Sequence, residues 1–138
     1  MAEPLCSYST AALAYLGDCV IEMCVRERLV RAGYSSSARL NRMALDFVRA
    51  PMQAQAMKRI LPLLTEEETA VFHRGRNGGH GHTPKSATMA EYRAATGMEA
   101  LFGYLHLAGR SDRIDSLFAA AYPMDDLAAA ENGTQNND

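Results

Sequence analysis

Two stretches of this 138-residue sequence are almost wholly apolar, and each carries an acid where a packed helix would least tolerate one. In "AYLGDCVIEMCV", residues 14–25, Asp18 follows Gly17 directly; in "AATGMEALFGYLHLAG", residues 94–109, Glu99 is the only ionisable carboxylate. A helix with non-polar side chains on more than one face packs against more than one neighbour, so both segments belong inside a helical bundle. Burying an unpaired carboxylate costs several kcal/mol or forces it to protonate. A lone buried acid is ordinarily satisfied by an Arg or a backbone N–H. Two acids desolvated together repel each other and call for a shared cation, and Mg²⁺ is the ion commonly held by one or two carboxylates with water completing its shell. Both readings stand at the level of the residues, and the occurrence of two such helices favours the second.

Helix signals recur along the rest of the chain and strand signals do not. Ser9 or Thr10 can cap the first helix, whose stripe runs through Leu13, Leu16, Val20 and Met23 or Cys24 and whose end is marked by Gly33. Ser35 to Ser37 supply a cap for a second helix ending near Arg49. Pro51 suits the first turn of a third, which Pro62 terminates. Thr65 with Glu68, and Thr88 with Glu91, form two capping boxes that open helices running to about Arg76 and Ala108. Gly109 ends the latter, and Ser111 can cap a last helix to Tyr122. The expectation is an all-α domain of about six helices over residues 1–122, followed by an acidic, disordered tail over 123–138.

The formal charge of −2 conceals a segregation. The tail carries Asp125, Asp126, Glu131 and Asp138 with no base, so residues 1–122 hold 14 bases against 12 acids. Eight of those bases fall between residues 23 and 64 (Arg26, Arg28, Arg31, Arg39, Arg42, Arg49, Lys58 and Arg59), which predicts basic surface for an anion. Cys6, Cys19 and Cys24 are odd in number and lack Cys-x-x-Cys spacing, so they read as buried thiols in a reducing compartment. The N-terminus has no signal-peptide pattern, and Asp18 and Glu22 interrupt the best candidate for a membrane span. A cytoplasmic protein without a membrane partner is expected.

"RGRNGGHGHTPK", residues 74–85, is the one irregular interior stretch. His73, His80 and His82 suggest a metal clamp, but without cysteines and on Gly-rich backbone the spacing is weak evidence for zinc. A solvated loop is the plain alternative. A loop whose glycines permit close approach while Arg74, Arg76 and Lys85 neutralise phosphates fits the composition best. It is not a P-loop, because Pro84 precedes Lys85 where that motif has glycine. A di-metal four-helix bundle is also disfavoured, since it requires Glu-x-x-His on two helices. Glu22 lies four residues from both Asp18 and Arg26, and the helical ion pair with Arg26 is favoured over a third ligand.

Taken together, these blocks resemble a known family. "YLGDCVIEMCV" resembles the signature helix of the ribonuclease III catalytic domain, and "MEALFGYLHL" resembles its second acidic helix. "RGRN", then "TPK", then "YR" ahead of that helix resemble the short bacterial branch, Mini-ribonuclease III, which lacks a double-stranded RNA-binding domain. The likeness covers roughly Thr10 to Tyr122. It implies an all-helical homodimeric endonuclease that cuts double-stranded RNA with Mg²⁺ and matures the large-subunit (23S) ribosomal RNA precursor. It further implies that Asp18 and Glu99 are catalytic and bind the metal, with Arg74, Arg76, Lys85 and Arg93 as candidates for RNA contacts.

This chain departs from full-length ribonuclease III at Ala11, Ala14, Thr96 and Gln55, where the longer enzymes have acids. The short branch shares the loss of the upstream acids. A rival reading keeps the fold as a non-catalytic, ribosome-associated RNA-binding module, but retaining two acids in apolar helices argues against it. The apolar first helix, with non-polar side chains on more than one face through Val20, Ile21, Cys24 and Val25, is the candidate for a surface shared between the core and a second copy.

Overall fold

A computed structural model describes residues 7–78 and 87–124. Lys85, His80, His82, Cys6 and the acidic tail from Asp125 onward lie outside the described residues. Six helices follow in order: α1 (Thr10–Arg31), α2 (Ser37–Val48), α3 (Ala50–Ile60), α4 (Glu66–Asn77), α5 (Met89–Leu107) and α6 (Ser111–Ala121). A 3₁₀ turn over Leu61–Leu63 follows α3, and no strand occurs among the described residues. The all-α architecture expected from the sequence is the one observed.

The termini form for local reasons. Ser9 and Ser36 cap α1 and α2 through their hydroxyls. Both capping boxes are complete, with Thr65 Oγ1 accepting from Glu68 N at 3.1 Å and Thr88 Oγ1 from Glu91 N at 3.1 Å. The helices that carry the acids end in the same way. Gly33 (φ +100°) and Gly109 (φ +71°) take the left-handed conformation, and the residue after each donates back to Leu29 O and Leu105 O. That second turn overrides the expected cap of α6. Arg110 is held by α5, so it occupies the N-cap position without a side-chain bond, and Ser111 becomes the first helical residue.

Helix α5 is the axis of the domain, packed against α1, α3, α4 and α6. Met98, Leu101, Phe102 and Leu105 on it are fully buried among Ile21, Leu29, Phe47, Met57 and Tyr122. Close approach is possible because glycines face each other at the crossings. A Cβ on Gly17 would lie 1.5 Å from Glu99 O, and one on Gly103 would lie 2.0 Å from Leu13 O, so α1 and α5 meet backbone to backbone. Gly75 and Gly97 let α4 approach α5 closely too, though less so, with a Cβ on Gly75 lying 2.8 Å from Gly97 Cα.

Of the eight bases between residues 23 and 64, six are exposed and Arg28 and Arg39 are half-buried, and several of them engage neighbouring groups. Arg26 pairs with Glu22 at 2.9 Å and Arg31 with Glu27 at 3.0 Å. Arg28 and Arg59 donate to the carbonyls of Tyr122 and Ala121 at the end of α6, and Arg39 stacks over the Tyr34 ring at 4.9 Å. The expectation of buried thiols fails on the outward face of α1, where Cys19 is exposed and Cys24 half-buried, while Ile21 and Val25 belong to the core. No helix of the described residues is long and apolar enough to cross a membrane.

Candidate active site

The backbone contact between Gly17 and Glu99 decides where the two acids meet. Asp18 follows the contact on α1 and Glu99 forms it on α5, so their side chains emerge together at the edge of the crossing. They share a hydrogen bond. Burial, then the Asp18 charge, then that bond push the Glu99 carboxyl up to about 8. The two acids are not equally buried, contrary to the symmetric burial expected. Asp18 is exposed and Glu99 half-buried: Asp18 stands on the face of α1 that carries Ile21 and Val25, but there it opens onto a cleft instead of packed side chains.

A cleft of about 250 Å³ opens over the pair. Its walls are Thr10, Ala11, Ala14, Tyr15 and Asp18 from α1, Gly75 and Gly78 from the end of α4, and Tyr92, Thr96 and Glu99 from α5. Ala11, Ala14 and Thr96, three of the four departures noted above, all border this cleft, whereas Gln55 is exposed on α3 and does not. Glu22 is not a wall either, and its ion pair with Arg26 is formed as expected.

The candidate basic residues distribute around this rim. Arg74 and Arg76 flank Gly75 on α4; Arg74 is exposed and donates to Tyr8 O at 3.4 Å, and Arg76 lies over the Phe72 ring at 5.7 Å. Arg93 is exposed on α5, next to Tyr92. Sequence reasoning missed Thr10 and Tyr92 as walls of the site. Tyr92, Thr96 and Glu99 follow the spacing i, i+4, i+7 that places side chains on one face of a helix, so that signal was present.

Comparison with known proteins agrees with this architecture. Residues 11–110 match the Ribonuclease III domain family. The chain belongs to the ribonuclease III family. A Mini-ribonuclease 3 from Symbiobacterium thermophilum is 49% identical over 122 residues, 88% of this chain and 92% of the relative. The Mini-ribonuclease 3 of Enterococcus faecalis is 43% identical over 77% of this chain and 82% of its own. The crystal structure of a Fusobacterium nucleatum protein superposes with a TM-score of 0.74 at 32% identity, covering 80% of this chain and 88% of that one. As a ribonuclease III family member of the short, Mini-ribonuclease III type, the chain is an endoribonuclease.

Proposed function

We propose that this ribonuclease III family member cuts double-stranded RNA with Mg²⁺ held by Asp18 and Glu99, and that its substrate is the large-subunit ribosomal RNA precursor in the cytoplasm. The observation that carries the reading is the direct contact of the two carboxylates in an open cleft. Two carboxylates in contact ionise together only if something positive lies between them; a proton on Glu99 serves that end in the free protein. The donor set suits a hard divalent cation, being oxygen only and leaving most of the shell to water and substrate. Mg²⁺ bound there supplies Lewis acidity toward a phosphodiester oxygen and lowers the pKa of water.

The chain's own groups do the rest. Glu99 would hold the ion as a carboxylate, its proton released to solvent, while the Gly17 and Gly103 contacts fix α1 against α5 and with them the two acids. Arg74, Arg76 and Arg93, with Lys85, neutralise backbone phosphates along the strand on either side of the cleft. Bases of A-form RNA lie beyond reach in a deep, narrow groove, so recognition rests on shape, phosphates and 2′-hydroxyls.

Each chain has one acid pair, so cutting both strands takes a homodimer whose two-fold axis matches that of the duplex. Support comes from another face of α1. Tyr15 is 86% exposed and Met23 is exposed, and an apolar groove of about 630 Å³ runs between α1 and α6 past Leu16, Val20, Ile114 and Phe118. Contiguous apolar surface of this kind marks an interface.

The test is incubation of purified protein with Mg²⁺ and a labelled RNA duplex, alongside Asp18→Asn and Glu99→Gln. Cleavage by the parent chain and none by folded variants is expected; normal turnover by either variant overturns the metal assignment. Sedimentation without RNA tests the dimer.

A further inference from the structure

Thr96 lines the cleft one turn before Glu99 on α5, and its hydroxyl proton is already committed. Thr96 Oγ1 donates to Tyr92 O at 3.0 Å, the bond a threonine makes to the preceding turn of its own helix. A hydroxyl has one proton and two lone pairs. With the proton turned into the helix, what Thr96 offers the cleft is an acceptor.

An acceptor is what a strongly hydrated cation needs at this point. Mg²⁺ gives up its waters reluctantly, so a site with two carboxylates leaves several in place, and each carries protons that seek acceptors. Among the other walls Ala11, Ala14, Gly75 and Gly78 contribute no side-chain oxygen, and of the hydroxyls of Thr10, Tyr15, Tyr92 and Thr96 it is that of Thr96 which stands one turn from Glu99 on the same helix. Residues three apart on a helix are neighbours, so Thr96 stands beside the Glu99 carboxylate without competing for the same position. As a neutral oxygen it adds no further charge to a pair that already repels.

We infer that Thr96 is a positioning residue of the site, its hydroxyl accepting a hydrogen bond from a water of the hydration shell of the divalent cation and orienting that water in the cleft. The inference rests on the reading of Asp18 and Glu99 as the ligands. It differs from that reading in assigning part of the affinity to a side chain that does not touch the ion. The back-bond to Tyr92 is what fixes the hydroxyl in the accepting orientation, as outer partners elsewhere fix the groups around a metal.

The experiment measures Mn²⁺ binding to the RNA-free protein by titration calorimetry, and the Mg²⁺ concentration for half-maximal duplex cleavage, in Thr96→Val, Thr96→Ser and Asp18→Asn. Valine keeps the volume and the β-branch and removes the hydroxyl, and with it both the acceptor and the back-bond to Tyr92 O. The Mn²⁺ Kd of Thr96→Val should rise about tenfold, in line with other outer-partner losses, and its Mg²⁺ requirement should rise in parallel. Thr96→Ser should stay close to the parent chain. A merely structural role moves the melting temperature and leaves the metal Kd alone. Should valine disturb the helix by circular dichroism, Thr96→Ala is the second hydroxyl-free variant. Parent-like Mn²⁺ binding in folded Thr96→Val or Thr96→Ala overturns the inference, as does a serine variant as weak as the valine one. Unchanged Mn²⁺ binding in Asp18→Asn overturns the ligand assignment itself and the Thr96 inference with it, which distinguishes the two failures.

Discussion

Gly17 lies so close beneath Glu99 that a Cβ built on it falls 1.5 Å from the Glu99 carbonyl oxygen. Replacing a helical glycine by alanine normally gains about 0.5–1 kcal/mol of backbone entropy. Here the clash wins, because the obstructing atom is backbone on a fully packed helix and can yield only by moving α5. Gly17→Ala should cost at least about 3 kcal/mol by chemical denaturation, the upper end of overpacking penalties. It should also cut duplex cleavage at least to the fraction that stays folded, since Asp18 and Glu99 part as the helices do.

Gly109 makes the opposite case. Nothing lies within 4 Å of a Cβ built there, and its φ of +71° is the only obstacle. Gly109→Ala should lose about 1–2 kcal/mol through the left-handed backbone alone. Cleavage per folded molecule should not change, because the turn lies outside the cleft.

Glu99 makes the metal-free protein sensitive to rising pH. Its carboxyl stands at about 8 in the fold against an ordinary 4.5, so the folded chain holds a proton that the unfolded chain releases. That contribution to stability is complete below 4.5 and is lost as pH climbs through about 8. Thermal melts in chelator should therefore show a falling melting temperature from pH 5 to pH 8.5, and Glu99→Gln should flatten that slope. A parent chain with no slope in this window would sink the assignment.

Glu68 acts in the other direction. It is fully buried and accepts from Arg113 Nη2 at 2.8 Å and Nε at 2.9 Å as well as closing its capping box. The hydrogen bonds from Arg113 hold its carboxyl below the usual range, so this contribution is present above 4.5 and lost in acid. Arg113→Met should cost about 2–3 kcal/mol at neutral pH, somewhat under the full figure for breaking a buried pair because the guanidinium is partly exposed. Equilibrium denaturation at pH 7 and at pH 3 should show the difference between parent and variant shrinking in acid.

Arg74 and Arg93 are exposed and contribute little to packing. Their joint replacement by alanine should change stability by under about 0.5 kcal/mol. Duplex affinity should weaken evenly across sequences, and the slope of log affinity against log salt should drop by about two. Binding measured from 50 to 200 mM salt reads this directly.

Much of the architecture could be read along the chain because its signals are local. Thr65 with Glu68, Thr88 with Glu91, and the two terminal glycines each act within a turn of helix, so their outcome does not depend on what packs nearby. The acid pair could be found because an apolar run makes a carboxylate conspicuous. What escaped depends on distant partners. The run of bases between residues 23 and 64 gives no sign that α6 returns its carbonyls to Arg28 and Arg59. Glu68 reads as a cap and gives no sign of Arg113, 45 residues away. Gly17 appears as a break in a stripe, because an absent side chain leaves no periodicity to detect. Cys19 was expected inside for want of knowing which face of α1 meets α5, and Asp18 because a cleft on that face leaves no mark in the sequence.

The crossing of α1 with α5 also has a consequence in time. More than half of the sequence separates Asp18 from Glu99, and neither acid has its neighbour until the second helix has been made. At synthesis rates of 5–20 residues per second, the first acid waits roughly 4–16 s for the second. On the proposed reading of the two acids, the chain has no cutting centre throughout that interval, and acquires it only when nearly all of the helical domain has left the machinery that made it.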